Sequence, residues 1–138
     1  MSRRSHPQSR PVHPDSPLEI ARLCAAAALD LKAMDVVILE VAGLSGFADY
    51  FIMASGRSTR QVTAVAEHIR RTLKSAGVRA LGSEGLRQGG WVLLDYGDVV
   101  VHVFHRPVRE FYDLESLWGD AGRVPVRPGE LAALLPNP

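Results

Sequence analysis

An α/β domain with a mixed sheet is what this chain predicts, and three observations predict it. Two long amphipathic runs each open on a capping box, as helices do. Two short apolar runs lie between them, the first of them β-branched. A late stretch, residues 91–104, alternates its apolar side chains around a Tyr-Gly pair, as a hairpin does.

The first helix begins at "SPLE". Ser16 accepts from a first-turn amide, Pro17 gives up no bond at the first helical position, and Glu19 completes the box. Ile20, Leu23, Ala27 and Leu31 form one stripe that carries the helix to about Ala33. Cys24 falls in "LCAAAALDL" and reads as a small core residue. "DVVILEV", residues 35–41, is apolar on both faces, as a central strand is. "AGLSGF" turns the chain. "ADYFIMAS" is a second strand, with Tyr50, Ile52 and Ala54 opposite Asp49, Phe51 and Met53.

"SGRSTRQ" ends that strand and starts the second long helix, with Ser58 and Gln61 as its capping box. Val62, Val65, Ala66, Ile69 and Leu73 keep helical spacing, and Gly77 is a left-handed stop. "VRALGSEGLRQGG" is a glycine-rich loop with room for one edge strand. Both long helices are expected on one side of the sheet.

A Tyr96-Gly97 turn sets Asp95 opposite Asp98, Leu93 opposite Val100 and Trp91 opposite His102. The period of two then sorts the side chains. Val92, Leu94, Val99, Val101 and Val103 share one wholly apolar face, which is core. Trp91, Leu93, Asp95, Asp98, Val100, His102 and Phe104 share the other. Large apolar groups mixed with polar ones describe a half-exposed contact face. Next, "RPVREFYDLESLW" gives short helices. Pro107 begins one, Asp113 caps the next turn and Gly119 ends it. The expected divisions are a flexible, basic, proline-rich tail at residues 1–16, the folded domain at 17–119, and a proline-rich tail at 120–138. That last tail has room for one helical turn near Leu131 to Leu135.

Composition narrows the chemistry. One cysteine excludes an intrachain disulfide and a multi-cysteine zinc site. No 18-residue apolar run exists, so a cytoplasmic protein without membrane contact is the expectation. Net charge is +1, which gives no overall basic field. The charge is uneven, however. Residues 84–120 hold seven acids against three arginines, a net of −4 that suits a basic partner as well as a solvated surface.

Asp95, Asp98 and His102 share a face but are spread along it, and His105 has the opposite parity. They cannot converge on one ion, so neither metal nor cofactor is expected. No G-x-S-x-G elbow or P-loop is present. "SGRS" opens a helix, where free amides favour anions, although a cap explains Ser58 equally. Asp95 and Asp98 have two readings: turn-flanking aspartates, or carboxylates awaiting a cationic partner beside an aromatic anchor.

"ADYFIMASGRSTRQVTAVAEHI", "GGWVLLDYGDVVVHVF" and "REFYDLESLW" together resemble the ribosomal silencing factor, or Iojap-like, family over roughly residues 18–118. The resemblance implies a nucleotidyltransferase-like fold used for binding, not catalysis. It implies attachment to the large ribosomal subunit through its protein fourteen, which blocks joining of the small subunit and reduces translation when nutrients are short. Organellar relatives imply a role in large-subunit assembly. Working enzymes of that fold carry an Asp-x-Asp pair after a Gly-Ser turn. "SGRS" is followed by no such pair, which leaves a nucleotide-using transferase as the weaker alternative. The family pattern falls on Trp91, Asp95, Gly97, Asp98, His102, Tyr112, Leu114, Glu115 and Trp118. It implies Trp91, His102 and Phe104 as the centre of the ribosomal contact, with Asp95 and Asp98 meeting basic groups. Leu93, Val100, Tyr112 and Leu114 complete the expected surface. Phe111, Leu117 and Trp118 belong either to it or to the packing of the last helix. An exposed aromatic face can also pair with a second copy, so a homodimer of the free protein is a further expectation.

Overall fold

The computed structural model describes residues 14–136. Ser16 accepts from the Glu19 amide at 3.2 Å and caps α1, Pro17–Asp30. The Glu19 carboxylate reaches back to the Asp15 amide. The helix stops three residues short of the expected Ala33. Lys32 takes φ +62° as the chain turns into β1, Met34–Glu40, and Asp35 takes φ +50° where β1 slips register against its neighbour. The burial of α1 is wider than one stripe: Ala21 and the whole run from Leu23 to Ala28 are buried. Small side chains let the helix lie close to its neighbours.

β2 is Tyr50–Gly56 and α2 is Thr59–Ser75. Ser58 caps α2 through the Gln61 amide at 3.0 Å, and Gln61 returns a bond from the Arg57 amide. Gly77, at φ +89°, ends it as expected. β3, Gly82–Glu84, is the short edge strand. β4, Trp91–Asp95, and β5, Val99–His105, form the hairpin. α3, Arg106–Tyr112, and a 3-10 segment, Leu114–Trp118, follow. Asp113 joins them in the left-handed region at φ +45°, and its side chain bonds the Ser116 hydroxyl rather than capping a backbone amide.

One six-stranded sheet runs in the order β3-β4-β5-β2-β1-β6. β2 and β5 are parallel and every other pair is antiparallel, so the sheet is mixed. β6, Gly122–Val124, pairs with β1, and α4, Pro128–Ala132, packs on α1 with Leu131 buried. Both lie in the stretch read from the sequence as a tail with one helical turn. Prolines bound these elements without preventing them: Pro125 follows an edge strand, and Pro128 opens a helix. The flexible tail expected at residues 1–16 falls mostly on residues 1–13, outside those described.

α1 and α2 cover one face of the sheet together. Val92, Leu94, Val99, Val101 and Val103 all point into that core, as their parity requires. A second, smaller core lies on the opposite face. Leu39, Phe51, Met53 and Phe104 build it, with Trp91, Val108, Leu114 and Trp118 packed on them. Among the described residues, no helix is long and apolar enough to cross a membrane.

Candidate functional site

The hairpin turns at Gly97-Asp98, not at Tyr96-Gly97. The Tyr96 amide donates to the Val99 carbonyl at 2.9 Å, and Gly97 takes φ +84° as the first central residue. That position favours glycine and resists a bulky ring, while Tyr96 gains burial in the helix-side core. The register therefore moves by two residues. Trp91 lies opposite Phe104, Leu93 opposite His102, and Asp95 opposite Val100. Asp95 and Asp98 do not face each other across the strands. An even shift leaves every side chain on its expected face.

Asp95 has a local task. Its carboxylate accepts from the Gly97 amide at 2.8 Å, an Asx turn that stabilises the hairpin. Asp98 is exposed at the tip, and its carbonyl accepts from the Asp49 and Tyr50 amides.

The face that carries Trp91 is less open than its sequence suggests. Phe104 is fully buried and His102 is 5% exposed, so neither is free for contact. The reason is topological. β5 is flanked by β4 and β2, and the rings of Trp91 and Tyr112 stack outward from Phe104. The Trp91 ring centre lies 4.9 Å from that of Phe104 and 5.3 Å from that of Tyr112. Phe51, delivered by the parallel neighbour β2, meets His102 edge-on at 5.2 Å and Trp118 edge-on at 5.2 Å.

His102 is held by the Trp91 indole, whose Nε1–H donates to Nδ1 at 3.1 Å. An indole nitrogen only donates, so the imidazole is neutral there with its proton on Nε2. Burial pushes its pKa down to about 4. Among the described residues, Nε2 of His102 and Nε1 of Trp118 are buried donors that meet no acceptor.

Outside this aromatic stack lies an apolar groove of about 560 Å³. Trp91, Leu93, Asp95, Val100 and Leu114, all half-buried, line it from the expected set, and the buried His102 lies at its floor. Its rim holds Phe47, 70% exposed, and Leu117, 73% exposed. Tyr112 stands beside Trp91 with 57% exposure. Sequence reasoning missed Phe47, Phe51 and Leu81. Phe47 and Leu81 sit in segments read as turn and loop, where a large apolar residue ending "LSGF" or opening "LGSE" was the available signal. Phe51 needed the β2–β5 register, which no local pattern contains. The alternatives for the last helix divide. Trp118 packs into the smaller core, whereas Phe111 and Leu117 are exposed.

One wall of the groove is fixed by Arg109. Its guanidinium donates to the Asp35 carbonyl at 2.8 Å, to Ser55 Oγ at 2.9 Å and to Glu115 at 2.9 Å. A single half-buried fork thus ties α3 and the 3-10 segment to β1 and β2.

The assembled site has apolar and aromatic walls and sealed polar atoms. Among the described residues, no three His, Cys, Asp or Glu side chains converge as a metal site would need. Its form suits a macromolecular contact.

Comparison with known proteins agrees with that character. Residues 14–135 match the family model described as "Ribosomal silencing factor during starvation". The ribosomal silencing factor RsfS of Bacillus subtilis is 45% identical over 102 residues, covering 74% of this chain and 86% of that one. The mouse protein named for mitochondrial assembly of the ribosomal large subunit is 32% identical over 90 residues, 63% of this chain and 40% of that one. The crystal structure of a Chromobacterium violaceum protein superimposes with a TM-score of 0.75 at 44% identity, covering 80% of this chain and 91% of that one. The chain belongs to the ribosomal silencing factor family.

Proposed function

We propose that this protein binds the large ribosomal subunit through its ribosomal protein fourteen, and that its bulk then keeps the small subunit from joining. Translation falls as a result, in cytoplasm short of nutrients. The observation that carries this reading is the Trp91-centred groove with Phe47 and Leu117 at its rim. Aromatic and aliphatic anchors around a concave centre are the usual energetic core of a protein contact. Asp98 at the hairpin tip offers a carboxylate to a basic partner. The α/β scaffold, nucleotidyltransferase-like in this reading, serves as a platform for binding and not for catalysis, and it needs no cofactor.

Co-sedimentation with isolated large subunits tests the proposal. Trp91→Ala is expected to weaken binding at least tenfold, since a central aromatic contributes about 2 kcal/mol or more. Retention of full binding by a folded Trp91→Ala protein counts against it. A second reading, assistance to large-subunit assembly, is favoured by the name of the mouse relative. It predicts precursor particles on sucrose gradients when the protein is removed. Free protein pairs through the same groove, so light scattering over a dilution series is expected to show a dimer that large subunits dissociate.

A further inference from the structure

α2 carries a surface of different character, on the opposite side of the sheet from the Trp91 groove. Arg60, Ala64, Glu67, Arg71 and Lys74 follow one another along its outer side at steps of three and four residues. Arg70 flanks this line. Arg79 comes alongside after the turn at Gly77, so that Arg70, Arg71, Lys74 and Arg79 line one shallow depression with Glu67. Four cations there meet one carboxylate, and Glu67 is engaged by Arg70 at 3.0 Å. Among the described residues, Arg71, Lys74 and Arg79 make no ion pair, and all three are exposed.

The concentration of charge is local, because the whole chain carries only +1. We propose that this patch binds the phosphate backbone of RNA. Three of its four cations are arginines, whose planar forks match phosphate oxygens. No aromatic side chain lies within the patch to stack on bases, so it reads backbone and not sequence. An anionic membrane is a poorer fit, because surface helices that enter membranes place large apolar residues beside their cations. Leu81, the exposed large apolar residue nearest in sequence, lines the groove instead. Family membership favours RNA over DNA as the polyanion. Nothing in the inference depends on what occupies the groove, and the two surfaces are placed to engage different partners at once.

Fluorescence anisotropy of a labelled RNA duplex, titrated with the full chain across a potassium chloride series, tests it. The logarithm of affinity is expected to fall linearly with the logarithm of salt, with a slope of magnitude about 3.6 for about four phosphates. The double variant R71E/K74E is expected to bind at least tenfold more weakly and to lose about 2 from that slope. Glu67→Gln is expected to bind more tightly than the parent, an outcome that misfolding cannot produce. R123E/R127E, far along the sheet at β6 and beyond, is expected to match the parent. Circular dichroism checks that each variant is folded. The proposal is overturned if the parent shows no saturable, salt-sensitive binding, or if R123E/R127E loses as much as R71E/K74E. Loss confined to an R3S/R4S/R10S variant, or tighter binding to phosphatidylserine vesicles than to RNA, overturns it equally.

Discussion

The indole N–H of Trp91 donates to Nδ1 of His102 at 3.1 Å, across a diagonal of the β4–β5 hairpin. This bond joins the groove to its floor. It fixes the imidazole tautomer and the orientation of the indole that lines the groove. Trp91→Phe keeps an aromatic but leaves a buried nitrogen without its donor. A loss of about 1–3 kcal/mol in urea unfolding is expected, and an unchanged midpoint would show that the bond contributes nothing.

His102 also sets an acid limit. The unfolded chain takes up its proton near the ordinary pKa of 6.5, but the folded protein does so only near about 4. Between those values the unfolded state binds more protons, so stability falls as pH falls. It is full above about 6.5, declines through the window by about 3 kcal/mol at ~1.36 kcal/mol per unit, and levels below about 4. Denaturation curves from pH 4 to pH 7 are expected to show this slope in the parent and to lack it in His102→Gln. Parallel curves for the two proteins would remove His102 as its source.

Phe47 separates contact from folding. Its ring is largely exposed at the groove rim, so Phe47→Ser is expected to change stability by no more than about 0.5 kcal/mol. Binding to large subunits is nevertheless expected to weaken about tenfold. Equal affinity of the two proteins would move the contact away from this rim.

Arg109 makes the opposite case, a residue that ties elements together without lining the groove. Arg109→Lys keeps the charge but cannot reproduce a fork to Asp35, Ser55 and Glu115. A destabilisation of about 2–3 kcal/mol is expected, with faster amide exchange in α3 and the 3-10 segment than in α1. Uniform exchange across the chain would indicate that Arg109 is not a local tether.

Two adjacent glycines test the approach of the glycine-rich loop to α2. A Cβ on Gly89 would meet the Thr59 carbonyl oxygen at 2.5 Å, at φ +71°, whereas one on Gly90 meets nothing within 4 Å. Gly89→Ala is expected to cost about 2 kcal/mol or more and Gly90→Ala about 0.5 kcal/mol or less. Similar thermal midpoints for the two variants would mean that the loop yields freely.

Elements whose signals are local were legible in the sequence. Both capping boxes, the Gly77 stop and the alternation of Val99, Val101 and Val103 each follow from neighbouring residues. The hairpin shows where such reasoning slips. Two adjacent positions offered a turn, and only the backbone demand for positive φ at Gly97, together with burial of Tyr96, selects one. The aromatic face was found, but its exposure was misjudged at His102 and Phe104. Covering them takes β2, brought in parallel from about 50 residues upstream, and such long-range pairing leaves no local trace. β6 was missed for a related reason: a three-residue strand beside prolines has no periodicity to detect.

β6 has one more effect. By pairing with β1 it leaves the sheet bounded on each side by a strand of three residues, Gly82–Glu84 and Gly122–Val124. Neither offers a ladder long enough to recruit another chain by backbone addition, the first step toward fibrous aggregates. Any pairing of this protein with itself through the Trp91 groove would then rest on side chains and not on strand addition.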